Sequence, residues 1–300
     1  MKISVVVPVY EVEPFIQATM RSIAEQTRPA DEVVIVDDAS RDRSVHLAME
    51  SFPLARVVEH RTNRGLAAAR NSGADASTGD LIMFLDADDR LRSDALDVLE
   101  RRFLSQPTIA AAIPRFHVVV DGVLQPSATS IPADRLLSSA SMSALLWRNP
   151  LYSGALVRRE AWAHVRYAEE LRMCEDLDFW LRLLAGRRHL LAVGERLVYR
   201  TVGRDGALTT RTAEMRMYRR LVAERILRSE GLPLRVRAVA GSQVIRSALG
   251  EAALAPNRRD RALLSRNLRS SDIGVTKLAG LLARTPGVAA AASAANRLLS

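Results

Sequence analysis

Three short apolar runs without polar alternation constrain this chain most, and two of them stop at aspartate. Ile3-Ser4-Val5-Val6-Val7-Pro8-Val9 comes first, Glu32-Val33-Val34-Ile35-Val36 runs into Asp37-Asp38, and Leu81-Ile82-Met83-Phe84-Leu85 runs into Asp86. Such runs are strands buried on both faces, the habit of parallel sheets. Between them the sequence predicts helices over about 15–26, 43–51 and 66–76, and a short strand at Arg56-Val57-Val58. This alternation predicts an α/β fold with an open, mostly parallel sheet and helices on both faces. Ligands bind such sheets beyond the carboxyl ends of the strands, so the two acidic clusters should converge there.

The pattern changes near residue 115 to short strands, such as Phe116–Val120 and Val123-Leu124, with a Pro- and Ser-containing stretch from 126 to 143. After about 206 it becomes helical and Arg-rich. The expected division is therefore 1–115, the half of alternating strand and helix; 116–205, a second half of the same domain, read as the acceptor side; and 206–300, a basic helical region. Charge follows this division. Residues 1–100 hold 11 basic and 18 acidic side chains, and residues 201–300 hold 18 and 7. A basic end can meet nucleic acid, an anionic membrane surface or acidic ligands. With 48% apolar residues in 300, a sizeable core can form. Cys174 is the only cysteine, which excludes an intramolecular disulfide and a cysteine zinc cluster and fits a reducing cytosol. Glu11 and Glu13 follow the opening run, which reads as a strand and not a signal peptide. No uninterrupted apolar stretch is long enough to span a membrane.

Asp86-Ala87-Asp88-Asp89 follows a buried strand, where carboxylates two positions apart can reach one divalent cation that bridges diphosphate oxygens. Capping of a helix starting near Ser93 is the alternative; a calcium loop fails for want of the loop glycine and the closing acid. Asp38 can accept hydrogen bonds from a base or ribose, or cap a helix. Arg64 and Arg70 offer guanidinium groups near the same crevice, or a solvated helix face. Glu175-Asp176-Leu177-Asp178-Phe179-Trp180 puts acids at a helix start, where the dipole favours them. An exposed aspartate there could be a general base and Trp180 could stack on a sugar; otherwise Phe179 and Trp180 are core. Walker, Gly-x-Gly-x-x-Gly, His-Glu-x-x-His and Gly-x-Ser-x-Gly patterns are absent.

Taken in order, Ser4–Tyr10, Ser22–Thr27, Val36-Asp37-Asp38-Ala39-Ser40, Asn63–Gly73, Phe84–Asp89 and Glu175-Asp176 resemble the family-two glycosyltransferases of the GT-A fold. The resemblance is strongest over residues 1–90 and weaker over 150–205. It implies an inverting, metal-dependent transferase that moves a sugar from a nucleotide-diphosphate donor, UDP-sugar favoured, to a hydroxyl acceptor in cell-surface polysaccharide or glycolipid synthesis. Pro8, Tyr10 and Asp38 would then line the base pocket and Arg64 would lie on the donor side. Asp86 would sit by the ribose and diphosphate, Asp88 would hold Mn²⁺ or Mg²⁺, and Asp176 would be the base. Glu175, Trp180 and Arg204 are offered as acceptor or diphosphate contacts, Arg204 standing where many relatives carry a histidine. The segment 167–174 lacks the glycine-rich turn expected before the base, which raises a second reading: a nucleotide-sugar-binding scaffold without catalysis. Expected partners are the nucleotide sugar, a saccharide or lipid-linked saccharide acceptor, and an anionic membrane surface met by the basic region. No nucleic-acid partner is expected, and the expected location is cytoplasmic, peripheral to the inner face of the membrane.

Overall fold

The computed structural model describes residues 1–126, 134–147, 149, 151–152, 154–203 and 212–254. Four strands, β1 (Ile3–Val9), β2 (Glu32–Asp37), β3 (Arg56–Glu59) and β4 (Leu81–Phe84), lie parallel in the order β3-β2-β1-β4. Helices α1 (Glu13–Ala24), α2 (Ser44–Ser51) and α3 (Leu66–Ala76) connect them. Each expected element is present, shifted by a residue or two at its ends. The short side chains of α3, Ala67 to Ala69 with Gly73 and Ala74, let it pack closely on β1 and β2.

Further along come β5 (Arg90–Leu91), α4 (Ala95–Ser105), β6 (Ile109–Val120), β7 (Val123–Gln125), β8 (Arg135–Leu137), α5 (Met142–Trp147), β9 (Ala155–Arg158), α6 (Arg159–Val165), α7 (Glu175–Ala185) and β10 (His189–Val202). The sheet continues from β4 through β9, β6 and β10 to β5. Here the strands are mixed in direction: β9 is antiparallel to both β4 and β6, whereas β10 is parallel to β6. Wholly parallel pairing thus belongs to the half in which strand and helix alternate regularly.

One core fills the space between α1, α4 and the sheet, including Ile16, Met20, Leu96, Leu99 and Phe103. Three side chains around the end of α1 also brace the chain that follows β4. Ser22 Oγ accepts from Leu91 N at 3.0 Å, Gln26 Nε2 donates to Arg92 O at 2.8 Å, and Gln26 Oε1 accepts from Leu96 N at 3.0 Å. Thr19 Oγ1 donates to Ala87 O at 2.8 Å, inside the acidic loop itself.

Gly73 marks the tightest helix-to-sheet contact. A Cβ there would lie 2.3 Å from Val6 Cγ1 and 2.9 Å from Val36 Cγ2. Both methyls belong to buried, χ1-stiff valines of adjacent strands and cannot swing aside. Gly73→Ala is therefore expected to destabilise the fold by ~1–3 kcal/mol despite the better helix propensity of alanine, read as a lower urea midpoint at unchanged slope.

By contact density the chain divides into residues Met1–Ser138 with Pro150–Thr210, which hold the whole sheet, and Ser139–Asn149 with Arg211–Ser300. The second unit takes residues 139–149 out of the stretch that the sequence assigned to the acceptor half. In it α5 packs with α8 (Thr212–Leu227) and α9 (Leu234–Leu254), burying Leu145, Val222, Ile226, Val236 and Ala240. Arg219 Nη2 donates to the carbonyls of Leu146 and Trp147, both at 3.0 Å. Among the described residues no helix is long and apolar enough to cross a membrane. Of the basic region from which the membrane contact is expected, residues 206–211 and 255–300 lie outside the described residues.

Candidate functional site

The two acidic clusters lie at the same end of the parallel strands, one on each side of β1: Val9 pairs with Asp37 in β2, and Leu85 N bonds Val6 O as β4 ends. Pro8 is buried in β1, and Tyr10 just beyond it is exposed. Asp38 is buried, and both oxygens of its carboxylate are held by the protein. Oδ1 accepts from Arg64 N at 2.8 Å and contacts His60 Nδ1 at 2.7 Å; Oδ2 accepts from Gly65 N at 2.7 Å. Gly65 caps α3 at φ +91°, a conformation open to glycine. Capping, one of the two roles open to Asp38 in the sequence, is thus present. The Arg64 side chain points elsewhere and pairs with Glu169 at 3.0 Å.

Arg70 ties the two halves of the site together. Its guanidinium is 5% exposed, with Nη2 2.7 Å from Asp86 Oδ1 and Nη1 2.6 Å from Glu175 Oε1. Its Cζ also stands 5.2 Å from the Tyr167 ring centroid. Burial works against the charge on Arg70, but Asp86 and Glu175 outweigh it and its pKa is raised. The next residue, Asn71, exchanges hydrogen bonds with the Tyr167 backbone at 2.9 and 3.0 Å. One turn of α3 therefore fixes the end of β4 and the approach to α7 at once.

Helix α7 starts after Cys174, a non-glycine residue at φ 59°. Glu175 is buried, so its expected acceptor-side contact is corrected: the carboxylate is turned to Arg70. Burial pushes its pKa up to about 7, with Arg70 opposing and Asp176 assisting. Asp176 is half-buried and its pKa is also raised, first by burial; Arg70, the Leu177 amide and Arg200 pull the other way. Trp180 corrects another expectation. It is 2% exposed and meets Phe179 edge-on at 5.0 Å, so it is core and no platform for a sugar. The amphipathic reading of α7 accounts for both aromatics, since Phe179 in turn stacks on Tyr167 at 4.4 Å. Arg204 lies outside the described residues.

In the acidic loop, Asp86 and Asp88 are half-buried and Asp89 is buried. Thr201 of β10 donates from its amide to Asp89 Oδ1 at 3.0 Å and from its hydroxyl to Asp88 O at 2.6 Å. The pKa of Asp89 is raised well above the ordinary value, first by burial, then by the charges of Asp86 and Asp88. Among the described residues no group of three or more histidine, cysteine, aspartate or glutamate side chains is placed to hold a metal ion. The aspartates of this loop offer oxygen donors, the class that Mg²⁺ and Mn²⁺ take.

Two residues of the site went unassigned by sequence reasoning. His60 is one. Arg200 is the other: its Cζ lies 4.0 Å from the Tyr152 ring centroid and 5.5 Å from that of Phe116, and its charge bears on both Asp176 and Asp89. No local spacing signals either, because their partners come from distant segments.

Comparison with known proteins fits this arrangement. The model of the family described as Glycosyl transferase family 2 matches residues 4–163. The uncharacterized glycosyltransferase YibD of Escherichia coli is 29% identical over 73% of this chain and 60% of its own length. The uncharacterized glycosyltransferase EpsJ of Bacillus subtilis is 32% identical over 59% of this chain and 54% of its own. The chain thus spans less than two thirds of the length of these relatives. Among solved structures, S. aureus TarS 1-349 in complex with UDP superposes with a TM-score of 0.74 at 19% identity, covering 100% of this chain and 89% of that one. The mannosyltransferase PcManGT from Pyrobaculum calidifontis in complex with GDP-Man and Mn²⁺ gives 0.61 at 19%, covering 99% and 85%. Both share the fold.

Proposed function

Because this chain belongs to glycosyl transferase family 2, we propose that it transfers a sugar from a nucleotide-diphosphate donor, a UDP-sugar in the first instance, to a hydroxyl acceptor with inversion at the anomeric carbon. The observation that carries this reading is the Asp86–Arg70–Glu175 bridge, which brings the loop after β4 and the start of α7 to one guanidinium. UDP is favoured because a fold neighbour is described with UDP. Synthesis of a surface polysaccharide is favoured because one relative, TuaG of Bacillus subtilis, is named for teichuronic acid biosynthesis.

In this mechanism Pro8, Tyr10 and Asp38 shape the base pocket while Asp86, locked by Arg70, faces the ribose and diphosphate. Asp176 accepts the proton of the acceptor hydroxyl as that oxygen attacks the anomeric carbon and the bond to the diphosphate breaks; a single displacement inverts the centre. Arg200, whose Cζ lies over the Tyr152 ring, adds positive charge beside Asp176. A divalent ion on Asp88, beside Asp86 and Asp89, would neutralise the departing diphosphate.

The test is a thermal-shift series of nucleoside diphosphates and nucleotide sugars with and without Mn²⁺, since a ligand bound by the folded state alone raises its stability. UDP should raise the melting temperature more with Mn²⁺ than without, and Asp88→Ala should remove that difference. No shift with any nucleotide would sink the reading. A shift without turnover on any acceptor would favour the scaffold alternative.

A further inference from the structure

We propose that His60 is a positioning residue for nucleotide binding, acting through Asp38. The proposal deepens the nucleotide-sugar reading and rests on it. His60 follows β3, its side chain is 5% exposed, and it joins three elements. Nδ1 lies 2.7 Å from Asp38 Oδ1 at the end of β2, and Nε2 lies 2.9 Å from Ser72 Oγ in the middle of α3. Its own amide donates to Asp37 O at 2.8 Å. The protons follow from the partners. A carboxylate only accepts, so Nδ1 carries the hydrogen, and in the neutral imidazole Nε2 accepts from the Ser72 hydroxyl.

The consequence lies in the shape of Asp38. A carboxylate has about four acceptor positions. Two are taken by the Arg64 and Gly65 amides at the start of α3, and one by His60. What remains is one position in a fixed orientation, set by the protein before any ligand arrives. Preorganisation of this kind improves affinity by removing the ordering cost of binding. Ser72 anchors the far side of the imidazole to the same helix that carries Arg70, so the relay couples the base side of the crevice to the Asp86 bridge. Without His60, Asp38 would still meet the two amides, but Oδ1 would lose its second hydrogen bond and the loop 60–65 its buried tie.

The substitutions separate positioning from packing. Asparagine places an N–H near the Nδ1 position and can still hold Asp38; glutamine reaches the Nε2 position and cannot. With UDP and Mn²⁺ as the probe in titration calorimetry, His60→Ala is expected to raise Kd about tenfold or more, the scale of one lost buried hydrogen bond. His60→Asn should stay within about threefold of the natural chain and His60→Gln should resemble alanine, a split that packing alone would not produce. Amide hydrogen exchange at Arg64 and Gly65 is the second readout and needs no ligand; it should speed up in the alanine and glutamine proteins and not in the asparagine one. Unchanged Kd in His60→Ala, or equal behaviour of asparagine and glutamine, overturns the proposal. If the natural chain binds no nucleotide, the function reading fails and the exchange experiment decides the relay alone: unchanged protection at Arg64 and Gly65 would end it.

Discussion

An Asp176→Asn protein is expected to keep the UDP-induced thermal shift and to lose sugar transfer by about 10²–10⁴-fold, the range supplied by a positioned general base. Asparagine preserves the shape at the start of α7 but cannot take a proton, so binding and chemistry should part company. The pH dependence gives a second handle. Burial raises the pKa of Asp176, and Glu175 beside it is pushed up to about 7. The acid limb of kcat/KM should therefore lie above the pH at which an exposed aspartate would place it, near 4, as a property of the pair. Stability carries the opposite sign. Both groups bind protons more tightly when folded, so their contribution is full below about pH 4 and fades as pH rises toward 7. Activity that rises with pH while stability falls over the same interval would be the signature of this pair. If Asp176→Asn retained transfer, the base would have to be sought elsewhere in the site.

The local pattern of the sequence set out the first three βα cycles almost to the residue, because parallel strands buried on both faces write continuous apolar runs and α3 is bounded by Gly65 and the extended Ser77. It also placed the acid clusters at the correct end of the sheet, a matter of topology alone. What remained hidden was long-range. Arg70 and Glu175 are 105 positions apart, as are Arg64 and Glu169, and no spacing announces such pairs. Trp180 had the composition of a ligand platform, yet helical periodicity put it on the same buried face as Leu177 and Leu184. Asp38 shows the limit most clearly. Its position after β2 was legible, but that it caps α3 and is braced by His60 depends on a loop whose course only the folded chain reveals. The mixed second half of the sheet was equally illegible, since the chain between β6 and β9 carries no repeating strand and helix to fix direction.

Arg70→Met should be the most destabilising single change in the site. Methionine fills much of the volume without the charge, so packing is largely kept while Asp86 and the buried Glu175 lose their common cation. Removing one partner of a buried ion pair costs about 3–5 kcal/mol, mostly as the penalty of the charge left behind. Two controls tie the loss to that penalty and not to shape. First, the defect should shrink as pH falls: without the guanidinium the buried Glu175 holds its proton still more tightly, and once neutral it needs no cation. Urea unfolding at about pH 5 should thus show a smaller gap between the two proteins than unfolding at about pH 8. Second, Arg70→Met combined with Glu175→Leu should recover part of the stability, because an apolar pair of similar volume can replace a buried ion pair at little cost. Recovery of stability without recovery of transfer would then separate the two duties of Arg70. Holding α7 against the sheet can be done by packing, whereas fixing Asp86 toward the donor needs the guanidinium itself. A gap that stays constant with pH would mean that Arg70 contributes through its stacking on Tyr167 and its hydrocarbon stem, with the ion pairs nearly neutral in balance.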